Sequence, residues 1–424
     1  MTPHHWRLRV AAEPPRTADL VIVGGGVVGC ATAFFATAAG LDVVVLEARP
    51  RLATLTTPAS TGAFRLQFDN AEEIALVREG IGLFESFGER TGLPGYDLAI
   101  RRNGYLFCAL SETFLGRQER MVAVQAAAGV PGIELLSGDE ARARFPYLSP
   151  VVLQARFRAG DGFLDPIRLA LGYALAASGS EGVERPSGAG RATFCLGERA
   201  TAIDTHGGRV AAVRTAHAII ETRALVLATG PFLAATASLA GVPLELRPTR
   251  RQKLVMPDVP DVPPNAPMTI DEETEAHWRP ALNGAFLLCT DADTPPSEAT
   301  WNVPTGADFA FRLLDPASPS SVARVSPFWA RAWEQGAAWY LQAGQYEYTP
   351  DHRPYIGASG VDGLYINGGY SGHGIMGCAG GSRLLVDVLT GVNRAPQGGL
   401  RPDGPDGNPF RIDRPMPHRE FDIL

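Results

Sequence analysis

Lysine and cysteine are both scarce in this 424-residue sequence, and each scarcity argues against a class of function. Lys253 is the only lysine, so the chain has no phosphate-binding loop of the Gly-Lys-Ser/Thr type and only one candidate for Schiff-base chemistry. The cysteines form no Cys-x-x-Cys pair, which argues against a disulfide framework and against a zinc site. They lie far apart, at Cys30, Cys108, Cys195, Cys289 and Cys378.

Long apolar runs and an excess of basic charge are missing as well. No stretch approaches the roughly 20 apolar residues that a membrane span needs, and residues 1–18 lack the apolar segment of a signal peptide. The formal net charge of −7 argues against nucleic acid as a partner. We therefore expect a cytoplasmic protein with no membrane span, and the length favours two domains over a single core.

The most informative stretch that is present is "ADLVIVGGGVVGCATAFFATAAGLDVVVLEA", residues 18–48. A buried strand leads into Gly24-x-Gly26-x-x-Gly29, a helix of small residues follows, and a second strand ends in Glu47. In this pattern Gly24 makes the tight turn, Gly26 lets the backbone approach a pyrophosphate, and Gly29 lets the helix pack on the strand. We expect the pyrophosphate at the helix N-terminus and the Glu47 carboxylate at the ribose hydroxyls, where it disfavours a 2′-phosphate.

A second glycine-rich stretch, "INGGYSGHGIMGC" at residues 366–378, surrounds His373 with five glycines after a short apolar strand. Glycine inside a strand or helix costs about 0.5–1 kcal/mol relative to alanine. Several of them in one loop therefore predict close approach of a bulky ligand to the main chain. The alternative is a tight crossover from strand to helix.

Features of a nucleotide-binding domain occur in three separated segments, 19–70, 150–243 and 345–392. The segments between them, 71–149 and 244–344, mix helical patterns with strand patterns and Pro-rich loops. This arrangement predicts an α/β fold in which a Rossmann-like domain is interrupted by an α+β substrate domain with a mixed or antiparallel sheet. Residues 1–18 and 393–424 are predicted to be tails.

Five motifs in this order resemble the D-amino-acid oxidase/sarcosine oxidase (DAO) family of FAD-dependent oxidoreductases, over about residues 19–392. The nearest resemblance is to sarcosine oxidase beta-subunit-like and dimethylglycine-type enzymes. After the fingerprint with Glu47, the motifs are "ASTGAFRLQF" (59–68), "DGFLDP" (161–166), "ALVLATGPF" with "LRPTRRQ", and "YEYTPDHRPYIG" with "GYSGHGIMGCAGGSRLL".

The resemblance implies an FAD cofactor, with the glycine-rich loop running beneath the flavin ring. It also implies that FAD is held non-covalently, because Gly344 stands where relatives carry a flavin-linked cysteine and Thr61 stands where they carry a histidine. The cofactor-binding residues implied are Gly24, Gly26, Gly29, Glu47, Ser60, Thr61, Thr229, Gly230, Gly372, His373, Gly374, Ile375 and Met376.

Three residues are implied to act in catalysis. Arg65 matches an arginine held over the flavin, Tyr346 matches a tyrosine that lines the substrate pocket, and His373 falls in the flavin loop. The structural alternatives are an ion pair or a loop-ordering role for Arg65, a half-buried strand aromatic for Tyr346, and a packed or backbone-bonded histidine for His373.

Other positions depart from the family's sarcosine oxidases. Phe68 and Met376 replace cationic residues that bind the substrate carboxylate there, which leaves Arg65, Arg250 and Arg251 as candidates and favours a larger, more hydrophobic substrate. We expect Lys253 to be a surface lysine that keeps its ammonium group in water.

These features together predict oxidation of the C–N bond of a small secondary or N-alkyl amine or amino acid, with hydride transfer to flavin N5 and an imine product. Oxygen or another electron acceptor would reoxidise the flavin, and the resemblance is compatible with an oligomer or a partner subunit. Two alternatives stay open: an FAD-dependent 2-hydroxy-acid or polyol oxidoreductase with a histidine base, and a non-enzymatic FAD-binding assembly protein.

Overall fold

The structure is a computed structural model that describes residues 6–179, 182–290, 294–396, 398–402 and 407–416. Its strands, in chain order, are β1 (Leu20–Val23), β2 (Val43–Glu47), β3 (Ala63–Phe64), β4 (Tyr105–Ala109), β5 (Ile133–Ser137), β6 (Gln154–Arg158), β7 (Gly162–Phe163), β8 (Ala192–Leu196), β9 (Ala202–His206), β10 (Arg209–Arg214), β11 (Ile219–Glu221), β12 (Leu225–Leu227), β13 (Arg247–Met256), β14 (Met268–Asp271), β15 (His277–Ala281), β16 (Gly284–Leu288), β17 (Tyr340–Tyr348), β18 (Tyr355–Ala358) and β19 (Leu364–Gly368). Its α-helices are α1 (Val27–Ala38), α2 (Thr56–Ala59), α3 (Ala71–Glu85), α4 (Phe87–Arg90), α5 (Glu112–Ala127), α6 (Gly138–Arg144), α7 (Pro166–Ser178), α8 (Leu233–Ser238), α9 (Asp308–Leu314), α10 (Phe328–Gln335) and α11 (Gly374–Thr390).

One sheet has the strand order β18-β19-β12-β1-β2-β8, and all its neighbouring strands are parallel except the edge pair β18–β19. The central strand β1 is buried on both faces, which explains its unbroken apolar sequence. On one face Leu20 and Ile22 pack with helices α1, α7 and α11. On the other face Val21 packs with the small antiparallel sheet β11-β10-β9, so the parallel sheet is the middle layer of three.

A larger sheet has the order β17-β13-β16-β15-β14-β4-β6-β5. Its neighbours are antiparallel except for the parallel pair β14–β4. Helices α9 and α10 bury apolar side chains with β13, β15 and β16 in a separate core around Trp278 and Trp329. The expectation of an α/β fold with a Rossmann-like sheet and a second, mixed sheet is confirmed.

Two strands cross the domain boundaries expected from the sequence. Strand β6 pairs with β4 and β5 in the large sheet, although it lies within the segment 150–243 assigned to the nucleotide domain. Strand β17 pairs along the whole length of β13, on both sides of the boundary at 344/345. In both cases the strand pairs with strands that are distant in the sequence. A local sequence pattern does not show which distant strands pair, so it could not give these domain boundaries.

Both terminal segments pack on the fold within the described residues. Ala11 donates its backbone N–H to the carbonyl oxygen of Phe194 in β8. The Arg414 guanidinium pairs with Asp351 at 2.7 Å, and both side chains are buried. In the part of the chain that the structure describes, no helix combines the length and the apolar character needed to cross a bilayer.

Candidate active site

Two glycines of the fingerprint, Gly24 in the turn between β1 and α1 and Gly29 within α1, leave no room for a Cβ atom. Gly24 has φ +113°, and a Cβ there would lie 2.3 Å from the Ala228 carbonyl oxygen. A Cβ at Gly29 would lie 1.9 Å from the Gly24 carbonyl oxygen. Helix α1 begins at Val27 with Gly26 as its N-cap and no side-chain cap, so its N-terminal dipole opens into a cavity that residues 23–28 line.

Glu47 ends β2 at the rim of the same cavity. Its Oε2 accepts a hydrogen bond from the Gly25 N–H at 2.7 Å, and its Oε1 accepts one from the Arg49 N–H at 2.8 Å. Burial raises the pKa of Glu47, and these two bonds oppose the rise. A carboxylate has about four lone-pair sites, so acceptor capacity remains for two hydroxyl groups.

The cavity has a volume of about 380 Å³ and runs from Glu47 to Tyr346. Its walls include most of the cofactor-binding residues expected from the sequence: Gly24, Gly26, Glu47, Ser60, Thr229, Gly230, Gly372, Gly374 and Ile375. Gly29 lies inside α1, while Thr61, His373 and Met376 line an adjoining chamber instead.

Two aromatic residues and a carboxyl group in the cavity wall were not singled out from the sequence. Phe232 and Trp301 stack with ring centroids 4.0 Å apart, and only folding brings these two residues together. Glu347 on β17 is buried, and burial raises its pKa to about 7.

The cavity suits FAD on the evidence of its own shape and donors. The N-terminus of α1, where glycines exclude a Cβ, would hold the pyrophosphate, and the Glu47 carboxylate would hold the adenosine ribose. Gly372 and Gly374 line the opposite end, where the flavin ring would lie against the backbone of residues 372–375.

The adjoining chamber has a volume of about 540 Å³ and shares four wall residues with the first cavity. These are Ser60, Tyr346, Gly372 and Ile375. Tyr346 is half-buried, and a Cβ at Gly372 (φ +98°) would lie 2.5 Å from its ring. Burial raises the pKa of the Tyr346 phenol, so it is a neutral hydroxyl at the junction of the two spaces.

Arg65 lies in the wall of this chamber and is 4% exposed. Its Nε and Nη2 have no hydrogen-bond partner, and within the described residues it forms no ion pair. The guanidinium carbon is 4.9 Å from the centroid of the Phe68 ring and 5.8 Å from that of Tyr105. A buried cation therefore presents unused donors beside the cofactor cavity, and the ion-pair alternative does not describe it.

His373 lies in the glycine-rich loop and lines the chamber, whereas Phe68 is absent from the chamber wall. His373 is the N-cap of α11 and is 8% exposed, with Nδ1 3.8 Å from Glu73 Oε1. Phe68 meets the His373 ring edge-on at 5.0 Å and packs beneath Arg65, so it supports the chamber without lining it. Met376 does line the chamber.

The expectation of a surface lysine at position 253 is wrong. Lys253 is 3% exposed on β13, and its Nζ donates to the carbonyl oxygens of Pro58 and Ser60 at 2.9 and 3.0 Å. Burial lowers its pKa to about 8. The Arg279 Nε donates to the Thr61 carbonyl oxygen at 2.8 Å, so two buried cations hold the loop that separates the cavity from the chamber.

A histidine that sequence reasoning missed, His277, also lines the chamber. It begins β15, and its Nδ1 lies 2.8 Å from the Glu275 carbonyl oxygen. Burial lowers its pKa to about 4. Only the register of β15 between β14 and β16 shows which way this side chain faces.

Known proteins resemble this chain along most of its length. It is 27% identical to human mitochondrial sarcosine dehydrogenase, over 89% of this chain but only 40% of that protein. It is 25% identical to FAD-dependent oxidoreductase domain-containing protein 1 of Xenopus laevis, over 89% of this chain and 80% of the relative.

Two solved structures have a similar fold. L-proline dehydrogenase from P. horikoshii gives a TM-score of 0.76 at 22% identity, covering 92% of this chain and 100% of that one. Glycine oxidase from Geobacillus kaustophilus gives 0.77 at 20% identity, covering 95% and 100%.

The family model described as "FAD dependent oxidoreductase" (DAO) matches residues 19–388. That match spans both sheets, the cofactor cavity and the chamber. The chain therefore belongs to the DAO family of FAD-dependent oxidoreductases.

Proposed function

We propose that this protein oxidises the C–N bond of a small secondary or N-alkyl amino acid to an imine. The proposal depends on one observation. The Arg65 guanidinium is buried, two of its N–H donors are unused, and it lies in a chamber that shares part of its wall with the cofactor cavity. FAD, when bound, supplies the acceptor for a hydride, that is, for the hydrogen and the electron pair lost from the substrate carbon. The nitrogen loses a proton as the C=N bond forms, and water then hydrolyses the released imine.

Arg65 binds the substrate carboxylate in this proposal. Planar guanidinium and carboxylate groups make two parallel, charge-assisted hydrogen bonds, and such a pair fixes direction as well as position. Anchoring at Arg65 holds the substrate beside Tyr346 at the junction of chamber and cavity. Hydride loss needs this positioning in a dry site more than it needs a strong base.

The chamber favours a substrate larger than sarcosine. Its volume of about 540 Å³ exceeds what a three-carbon amino acid fills, and Met268, Ile270, Leu288 and Met376 give it apolar walls. Each buried methylene contributes about 0.8 kcal/mol. Relatives named for sarcosine and L-proline point to secondary amines, which agrees with the proposed chemistry.

We also propose that FAD is bound without a covalent link. No cysteine or histidine is among the described residues that line the cofactor cavity, and Gly344 packs against Thr56 and Ala59 of α2. The electron acceptor is oxygen or another oxidant. The protein is proposed to work in the cytoplasm, alone or with further subunits.

The second candidate is oxidation of a 2-hydroxy acid, and one observation favours it. His277 is a neutral imidazole in the chamber and could accept a hydroxyl proton. A structure of similar fold carries the name L-alpha-glycerophosphate oxidase, from Mycoplasma pneumoniae.

Anaerobic reduction of the bound flavin tests both candidates. The holoenzyme is mixed with a panel of N-methyl amino acids, proline-like acids and matched 2-hydroxy acids, and loss of the yellow absorbance is followed. Bleaching by the amines alone is expected. Bleaching by the hydroxy acids alone would replace the proposal with the second candidate, and no bleaching by any member would overturn both.

A further inference from the structure

One wall of the chamber is a face of the large sheet. His277 on β15 lies directly across from Ile270 on β14 and from Leu288 on β16. Residues paired across neighbouring strands project to the same side of a sheet, and all three of these line the chamber. The imidazole is therefore a polar group set between two apolar side chains in the substrate space.

The hydrogen bond of the ring fixes its tautomer. The Glu275 carbonyl oxygen, 2.8 Å from Nδ1, can only accept, so Nδ1 carries the proton. In a neutral imidazole the other nitrogen, Nε2, is then an acceptor. Nε2 is neither bonded to a described residue nor shut off from the chamber.

The charge state of the ring supports the same reading. Burial lowers the pKa of His277 to about 4, and the nearby Arg65 cation lowers it further by a smaller amount. The ring is consequently uncharged near neutral pH. A neutral acceptor can bind an N–H without stabilising the ammonium form, whereas a carboxylate in its place would favour that form.

Of the three glutamates in the chamber wall, Glu272, Glu273 and Glu275, the first two are already engaged by other side chains. Glu272 accepts from Gln118 at 2.8 Å and from Arg156 at 3.3 Å. Glu273 accepts from Arg324 at 2.9 Å. Beside these engaged acids, His277 Nε2 offers an acceptor that the protein itself does not use.

We propose that His277 Nε2 accepts a hydrogen bond from the amine N–H of the substrate while Arg65 holds its carboxylate. This inference rests on the proposed function and adds a specificity to it. A secondary amine as the free base has one N–H to give, and a tertiary amine has none. The pair therefore selects primary and secondary amino acids over N,N-dialkyl ones.

This recognition can be tested without turnover by two small planar acids that bind as carboxylates but cannot lose a hydride. Pyrrole-2-carboxylate carries a ring N–H, and furan-2-carboxylate has the same size with an ether oxygen in its place. Their dissociation constants for the holoenzyme are measured from the shift they cause in the flavin absorbance. One hydrogen bond predicts about tenfold tighter binding of the pyrrole acid.

The variants His277→Phe and His277→Gln separate recognition from structure. His277→Phe should reduce the preference to about twofold or less by weakening the pyrrole acid alone, while His277→Gln, which keeps an acceptor, should retain part of it. His206→Phe, at the exposed end of β9 in the small sheet, is the matched control and should keep the full preference. An unchanged preference in His277→Phe would overturn the recognition by His277 and leave the amine oxidation standing.

Failure of the Arg65 anchor, on which the proposed function depends, gives a different result from failure of the His277 contact alone. If neither acid binds the wild-type holoenzyme, the Arg65 anchor and the His277 contact are both overturned. A wild-type enzyme that reduces its flavin equally fast with an N-methyl and an N,N-dimethyl amino acid overturns the selectivity alone.

Discussion

Replacing Arg65 with methionine should make the protein more stable and much less active. The guanidinium is 4% exposed, and two of its donors lack partners. An unsatisfied buried donor costs about 1–3 kcal/mol, and even a buried ion pair can often be replaced by apolar groups of similar volume with a change between zero and a gain of about 4 kcal/mol. We expect the FAD-loaded Arg65→Met protein to gain roughly 1–3 kcal/mol of unfolding free energy, a rise of a few degrees in Tm.

The same change removes the proposed carboxylate anchor. Two charge-assisted hydrogen bonds at about 1.5–3 kcal/mol each correspond to a loss of roughly 10²- to 10⁴-fold in kcat/KM. Thermal unfolding in the absence of substrate and steady-state kinetics on the best amine substrate measure the two effects separately.

Arg279→Met is the matched comparison, because Arg279 is also buried but donates to the carbonyl oxygens of Thr61 and Pro280. Its replacement leaves acceptors unpaired and should lower Tm. If Arg65→Met lowered Tm as much as Arg279→Met, or kept kcat/KM within threefold of wild type, Arg65 would be a structural residue and the anchor would lie elsewhere.

Four further outcomes are expected. Glu47→Gln should weaken FAD binding at least tenfold in titrations of the apoprotein. The amide has no charge, and its NH₂ group turns a donor toward the N–H of Gly25 or Arg49. Unchanged affinity would mean that Glu47 does not face the ribose. The pKa of Lys253 falls from its usual 10.5 to about 8, so between these values the unfolded chain binds more protons than the folded one. The unfolding free energy of wild type minus that of Lys253→Met should therefore rise with pH across this window in denaturant titrations. A flat difference would mean that burial does not lower the pKa of Lys253. Acid precipitation should release the flavin, with the mass of FAD, into the supernatant; flavin in the pellet would indicate a covalent link. Across N-methyl amino acids of increasing side-chain size, kcat/KM should rise from sarcosine, and a maximum at sarcosine would contradict the chamber volume as a guide to the substrate.

Local sequence patterns predicted much of the fold and much of the cofactor cavity. The glycines between β1 and α1 and the acid at the end of β2 fall within 24 residues of one another, and their roles depend on one strand–turn–helix unit. The Asp165–Pro166 start of α7 and the glycine that ends α11 are readable for the same reason.

The features that were missed depend on contacts over long sequence distances. Lys253 lies in a strand whose neighbours β16 and β17 begin about 30 and 90 residues later, so its burial becomes visible only when the sheet is assembled. His277 and the stacked pair Phe232–Trp301 have the same origin. Side-chain direction in a strand alternates with every residue, and a small error in register turns a chamber residue into a core residue.

Whether Arg65 receives the substrate carboxylate beside the cofactor is tested most directly by a crystal structure of the FAD-loaded enzyme with pyrrole-2-carboxylate. The expected result places the two carboxylate oxygens about 2.7–2.9 Å from Arg65 Nε and Nη2. The same complex should place the ring N–H within hydrogen-bonding distance of His277 Nε2. A carboxylate bound at Arg250 or Arg251, with the Arg65 donors still unpaired, would contradict the proposed site.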